Sequence, residues 1–391
     1  MTIREIHIRG FKSIVDQTLA LGRVNCFIGA NGVGKSNVLE AMGVLSAAAS
    51  GRVDDEAIIR RGVRAGLPRL FKTSFAGTQI PPHITLEAHG ESDTTFRVSL
   101  LNPLEKPEPA WSFKTEFLSS RGKEVVSRGV RGGNENLDPM AGLSALKVVE
   151  LRAEDPASLL LKVLQGYAIY TPNTPALRGT VPDAQTRAPV GLAGGGLAEG
   201  FEALKRSVEE NRLDEVLELI DWVSDVSATE SAGALLSPAV PRAKQVLKFT
   251  DRFMAASRNT LTAYDASEGA LYVLFAAVLC LSPPSPSIFA IDNLDSALNP
   301  RLVMRLVARL AEWLRVGDPD RQLLFTAHNP TVLDGLNLDD NDVRLFAVER
   351  NSQGHTTVRR IEVSPELQKL NEQYPLSRLW AMGNLGAVPN V

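Results

Sequence analysis

Cysteine is scarce in this 391-residue chain: Cys26 and Cys280 are the only two, both inside apolar runs. That excludes a disulfide scaffold and a multi-cysteine zinc site, and it suits a reducing compartment. Neither sign of charge dominates. Basic residues number 42 and acidic residues 45, for a net charge of −3, so any nucleic-acid contact must come from local clusters. No apolar run reaches the roughly 20 residues a membrane span needs. The most apolar stretch, residues 271–281, reads as a buried helix. No internal repeat and no sustained heptad pattern is present, which disfavours a long coiled coil. No secretory signal is visible either, because Met1-Thr2-Ile3-Arg4-Glu5 alternates charged and apolar residues as a strand does. These absences predict a cytoplasmic protein with no membrane partner.

What the chain has is apolar content. At 44% hydrophobic and 22% charged residues it can build a sizeable core. At roughly 150 residues per domain, its length suggests two or three units, or one large domain with insertions. Residues 3–9 read as a strand and residues 24–28 as a short apolar one. A glycine-rich loop and a helix over about 37–49 follow. Strand, glycine loop and helix open a P-loop α/β unit. Residues 83–88, 94–101 and 111–118 predict an antiparallel meander. Residues 121–139 read as a mobile loop, 141–166 as helical, 171–200 as loop and 201–226 as an amphipathic helix. From 245 the α/β pattern returns. It predicts helices at 271–281 and 300–315, buried strands at 287–291 and 322–326, and a closing hairpin at 343–348 and 356–363.

Gly29-Ala30-Asn31-Gly32-Val33-Gly34-Lys35-Ser36 fits G-x-x-x-x-G-K-S/T in full. Glycines let backbone N–H groups close around phosphates, Lys35 can reach the β/γ-phosphates, and Ser36 can ligate Mg²⁺. The bland alternative is a chance match in a glycine-rich turn, but this match sits between a predicted strand and helix, as the mechanism demands. Ser287-Ile288-Phe289-Ala290-Ile291-Asp292 is an apolar strand ending in a carboxylate, the Walker B arrangement that delivers Asp292 to the Mg²⁺ shell. Ser267-Glu268-Gly269 opens the apolar helix 25 residues before Asp292, so Ser267 can cap a positive helix end. His328 follows a buried strand 36 residues after Asp292, where a histidine can hydrogen-bond a γ-phosphate. An ordinary capped helix and a loop histidine are the plainer readings of these two; their order after a P-loop favours function.

Read together, these segments resemble the ABC-class ATPases that include RecF, the SMC proteins and the overcoming-lysogenization-defect (OLD) nucleases, and in particular the stand-alone AAA_21-like ATPases. Gly10-Phe11-Lys12-Ser13-Ile14 and residues 28–41 carry the resemblance. Leu294-Asp295-Ser296-Ala297-Leu298-Asn299-Pro300 is similar to the D-loop, Thr326-Ala327-His328-Asn329-Pro330 to the H-loop, and residues 379–389 to the end of such proteins. The resemblance implies an ABC-ATPase head with a mixed central sheet, an antiparallel β subdomain and a helical insertion. The divisions expected are 1–89 and 245–391 for the two parts of the head, 90–140 for the meander and loop, and 141–244 for the insertion. It implies ATP and Mg²⁺ as cofactors. Asn31, Gly32, Gly34, Lys35, Ser36, Asn37 and Lys12 would hold ATP, with Ser267 and Gly269 reaching it from the other subunit of a head-to-head homodimer or higher oligomer. Ser36 and Asp292 would bind the metal, and Asp292, Asn293, His328 and Asp295 are the catalytic candidates.

One departure stands out. Such proteins usually carry Asp-Glu at this strand end, and here Asn293 follows Asp292. An amide positions water but cannot accept its proton. Asp295 is the nearest carboxylate in sequence, although a D-loop residue can point across the dimer. The expectation is a slow ATPase acting as an ATP-gated switch on nucleic acid or on a separate, nuclease-like effector, in the manner of anti-phage defence systems. A RecF-like DNA-repair clamp and a hydrolysis-deficient scaffold for a toxic partner are the alternatives. A transporter motor is disfavoured by the long interval between Lys35 and Ser267, and a GTPase by the lack of an Asn-Lys-x-Asp motif. Arg60, Arg61, Arg64, Arg69 and Lys72, or Arg121, Lys123, Arg128 and Arg131, could track a DNA backbone; solvated surface turns are the alternative. Gln79 is a weak candidate for the Q-loop. Asp339-Asp340-Asn341-Asp342 reads as a solvated turn rather than a metal site.

Overall fold

The computed structural model describes residues 1–129, 137–230, 235–241 and 244–386. Arg131 and residues 387–389 of the terminal motif lie outside the described residues. Three sheets organise the chain. Strands β1 (Ile3–Phe11), β2 (Ile14–Ala20) and β3 (Val24–Ile28) open it. The first two join β4 (His83–Gly90), β5 (Thr95–Leu101), β6 (Ser112–Ser120) and β7 (Lys123–Arg128) in one antiparallel sheet of order β2-β1-β4-β5-β6-β7. That sheet runs straight across residue 89.

The central sheet is mixed. It adds β8 (Ile169–Tyr170), β12 (Ile288–Ile291), β13 (Gln322–Ala327), β14 (Val343–Arg350) and β15 (Thr356–Ile361), in the order β15-β14-β3-β13-β12-β8. All its pairs are parallel except β14 with β15. The strands β9 (Val223–Thr229), β10 (Val246–Asp251) and β11 (Thr260–Thr262) make a small antiparallel sheet within the expected helical insertion and just beyond it.

Strands β3, β12 and β13 are buried at every position, as largely apolar runs in a covered parallel sheet should be. Alternate side chains separate two cores. Phe27, Ala290, Leu324 and Phe346 face Val38, Leu39 and Met42 of the helix Lys35–Ala49 and the apolar face of the antiparallel sheet. Cys26, Phe289, Phe325 and Leu345 face Leu274, Phe275 and Val278 of the helix Glu268–Leu281 and Leu306 and Leu310 of the helix Pro300–Gly317. Phe27 stacks on Phe346 with ring centroids 4.9 Å apart. Because β3, β13 and β12 are parallel neighbours, their carboxyl ends share one edge, where α/β sheets bind ligands.

Two stretches differ from expectation. Residues 123–128 form β7 rather than loop, because Arg121 (φ 51°) and Gly122 (φ 70°) make a tight two-residue hairpin turn. Residues 201–226 are not one helix. Helices Leu197–Ser207 and Glu210–Leu217 are followed by β9. Val223 and Val226 are spaced as helix neighbours, which is why periodicity alone misassigns them.

Candidate functional site

The loop leaving β3 depends on glycine. Gly34 has φ 108°, and a Cβ there would lie 2.3 Å from the Thr356 hydroxyl. Thr356 donates to the Val33 carbonyl at 2.6 Å and receives a hydrogen bond from Ser13 at 2.7 Å. Ser13 in turn accepts from the Asn37 amide at 2.7 Å. Asn37 therefore braces the loop. Asn31 and Gly32 stand exposed at its tip.

Lys35 begins the following helix, and its side chain is buried. Its ammonium donates to the carbonyls of Gly29 (2.7 Å) and Ala30 (2.9 Å) and lies 3.3 Å from His328 Nδ1. Burial pushes its pKa down to about 8, against the fields of Asp292 and Asp295 that favour the charged form. Ser36 Oγ donates to both oxygens of Asp292, at 3.1 and 3.0 Å. Thr326 donates to Asp292 at 2.6 Å and accepts the Asn293 N–H at 2.8 Å. Asn293 sits in the left-handed region (φ 56°), and its Oδ1 is 2.9 Å from His328 Nε2. One proton arrangement satisfies both histidine contacts: Nε2–H donates to Asn293, and Nδ1 accepts from Lys35. Burial, reinforced by Lys35, lowers the His328 pKa and keeps this ring neutral.

Asp295 turns its carboxylate towards the backbone of its own chain. It is buried, and Oδ2 accepts the backbone N–H groups of His328 (2.8 Å) and Asn329. Two amides directed at one oxygen fix the His328 loop, so Asp295 positions this loop within the chain. Lys12 also differs from expectation. Its ammonium pairs with Glu40 on the flank of the P-loop helix and lies over the rings of Phe11 and Phe71.

Ser267 caps the helix Glu268–Leu281, its side chain accepting from Ala270 N–H at 3.4 Å. With Gly269 it borders a separate cavity of about 530 Å³ that also involves Trp222 and Arg301. No hydrogen bond joins Ser267 or Gly269 to Lys35 or Asp292 among the described residues.

The basic run at 60–72 does not present five free cations. Arg61 is buried and spends its guanidinium on Ser46, Ser50 and the Ala57 carbonyl. Lys72 is buried against the carbonyls of Pro82 and Asn102, and Arg60 pairs with Glu56. Arg64 bonds Glu40 at 2.6 Å and feels the charge of Asp292, which helps hold its pKa up. Arg69 is exposed and makes no ion pair among the described residues. Sequence reasoning missed the roles of Glu40, Thr326 and Thr356. Only a glutamate on an otherwise apolar helix face signalled the first. Asp340 and Asp342 pair with Arg315, as in an ordinary polar turn.

The lowered Lys35 pKa gives a testable sign. Phosphates favour the protonated amine, so ATP affinity should fall as pH rises above about 8. The unliganded fold should do the opposite. Between about 8 and 10.5 the unfolded chain holds the extra proton, so this group makes stability rise with pH there. Calorimetric titrations and thermal melts across that window check both signs.

The geometry is that of a P-loop ATPase head, and comparisons with known proteins agree. Residues 1–66 match the family model "AAA ATPase domain", and residues 209–334 match "AAA domain, putative AbiEii toxin, Type IV TA system". The DNA replication and repair protein RecF of Renibacterium salmoninarum is 33% identical over 175 residues, 43% of either chain. RecF of Clavibacter michiganensis subsp. michiganensis is 28% identical over 109 residues, 27% of either. The matches thus span less than half of these curated relatives. The fold is similar to the Smc head bound to the C-winged helix domain of ScpA (TM-score 0.58, 14% identity, 94% of this chain and 100% of that one). It is also similar to an Smc head bound to the C-terminal domain of ScpA derived from Pyrococcus furiosus (TM-score 0.53, 12% identity, 95% and 99%). The fold is that of a P-loop ATPase head, and the chain is similar in sequence to RecF and in fold to Smc heads. No helix among the described residues is long and apolar enough to cross a membrane.

Proposed function

We propose that the chain binds ATP with Mg²⁺ between Lys35, Ser36 and Asp292, hydrolyses it slowly, and uses the bound state as a switch. The observation that carries this is the convergence of Ser36 and Thr326, from two other elements, within 3.1 Å of the Asp292 carboxylate. A hydroxyl beside a carboxylate is an oxygen donor set suited to Mg²⁺. Mg²⁺ would neutralise phosphate charge there. Lys35 supplies the cation for the phosphates, its amine held ready by two loop carbonyls. Asn293 and His328, bonded to each other, would orient a water. Neither is set to take its proton, since Asn293 has no basic site and His328 Nδ1 is turned to Lys35.

The proposal places each ATP between the P-loop of one subunit and Ser267 and Gly269 of the other. The separation of the Ser267 cap from its own Lys35 supports this, as does the open cavity beside it. Mass photometry with and without ATP is the test. The intact chain should dimerise with ATP, and Ser267→Arg should bind ATP yet remain monomeric. A monomer at saturating ATP, or an unaffected Ser267→Arg dimer, would sink the arrangement.

The output of the switch is inferred to be a separate effector, nuclease-like in an anti-phage setting. Strongly exposed apolar side chains at Val149 and Phe253 would suit a protein partner. The likeness to RecF supports a second reading, a DNA clamp working through exposed residues such as Arg69, Arg121 and Lys123. Duplex DNA added to an ATPase assay separates the two. Salt-sensitive stimulation supports the clamp, and turnover indifferent to DNA supports the protein switch.

A further inference from the structure

A second cavity, of about 430 Å³, opens beside the P-loop between the start of β4, the segment 73–79 and the turn before β15. Its position is set by the brace described above. His355 lines it, and the next residue, Thr356, holds the Val33 carbonyl of the P-loop. Gly10 lines it too, two residues before Lys12. The cavity is therefore tied to the phosphate loop through Thr356, the neighbour of His355.

Two rings form one wall. Phe75 packs on His355 with centroids 4.4 Å apart and planes tilted by 51°. Each ring stands on a braced turn. The Asn351 side chain accepts the N–H groups of Gln353 and His355, both at 3.0 Å. Thr78 donates its N–H (3.2 Å) and hydroxyl (2.9 Å) to the Phe75 carbonyl. Gly354 matters here, because the Phe75 ring comes within 3.4 Å of where its Cβ would be. Both rings remain half-exposed, so each keeps a face free. Around them stand hydrogen-bonding side chains: Thr78, Gln79 and His83. Burial, together with Lys72, Lys114 and Arg9, lowers the His83 pKa, which leaves a neutral ring able to donate and accept. Gln79, a Q-loop candidate by sequence, thus belongs to this cavity.

We propose that this cavity is the nucleobase subsite, taking the purine ring of the nucleotide whose phosphates the P-loop holds. A flat aromatic wall suits a purine face, and the amide, hydroxyl and imidazole groups suit its polar edge. The proposal rests on the ATP-binding reading above.

The test compares ATP with inorganic tripolyphosphate, which shares the phosphates and lacks the base. Affinities of both, with Mg²⁺, are measured by calorimetry for the full chain and for Phe75→Ala, His355→Ala and Phe75→Tyr. Phe75→Ala should weaken ATP roughly tenfold, as loss of a base–aromatic stack does. Tripolyphosphate should bind unchanged, His355→Ala should weaken ATP in the same sense, and Phe75→Tyr should keep the native ATP affinity. Equal weakening of ATP and tripolyphosphate overturns the proposal, since the rings would then only support the loop. Unchanged ATP binding in both alanine variants also overturns it, while leaving the ATP reading intact. Failure of the unaltered chain to bind ATP overturns both.

Discussion

Asn293→Glu is expected to raise steady-state ATP turnover on the order of a hundredfold, the lower range for supplying a general base. The position already holds what a base needs around it. Asn293 follows the metal-side carboxylate Asp292, its N–H is fixed by Thr326, and its side chain meets His328. A carboxylate there would lie close to Asp292 and Asp295, and like charges raise its pKa towards the working range of a base. The substitution has a cost. Asparagine tolerates φ 56°, whereas glutamate in that region loses about 1 kcal/mol, so the melting temperature should fall by a few degrees as turnover rises. Turnover that stays flat while ATP affinity is kept would show that the missing carboxylate is not what limits the chain. So would a native rate already near the roughly 10 per second of ordinary enzymes. If native turnover is nil and ATP still drives assembly, the scaffold reading is the one that survives.

Lys35→Ala should weaken ATP binding by a hundredfold or more, since truncating one partner of a buried charged pair costs about 2–5 kcal/mol. The fold should hardly notice. The amine is an uncomfortable group when no phosphate is present, as its pKa of about 8 shows. Its removal frees three acceptors, the carbonyls of Gly29 and Ala30 and Nδ1 of His328, all beside the exposed tip of the loop. Calorimetry should thus show lost binding beside a melting temperature within a few degrees of the native one. Near-native ATP affinity in this variant would remove the P-loop from the argument altogether.

Much of the architecture was legible because it rests on local signals. The strand over residues 24–28 and the hairpin at 343–361 are apolar runs bounded by turn residues, and glycine spacing marks the P-loop. The elements that were misread are those where local and long-range demands disagree. Residues 223–229 carry helical spacing, yet they pair with β10. The arginines at 60–72 looked like one surface because side-chain partners are set by tertiary packing. Arg61 is drawn inward by Ser46 and Ser50, and Arg64, still exposed, is tied to the buried Glu40. Asp295 was ambiguous for the same reason: only the fold shows that its carboxylate faces two amides of its own chain. The Phe75–His355 wall joins residues far apart in sequence and left no motif.

The pairing of β3 has a consequence for synthesis. Both its neighbours, β13 and β14, come from the last fifth of the chain, and the contacts that set the P-loop lie 293 residues away at His328 and 323 away at Thr356. As the chain leaves the ribosome, the antiparallel sheet can close early, because its strands follow one another. The fully buried β3 must wait with both edges open until the final strands appear, an aggregation-prone interval. The nascent protein therefore depends on being finished before it can hold a nucleotide, and a chain stalled after β12 would leave exposed a strand that the folded protein buries at every position.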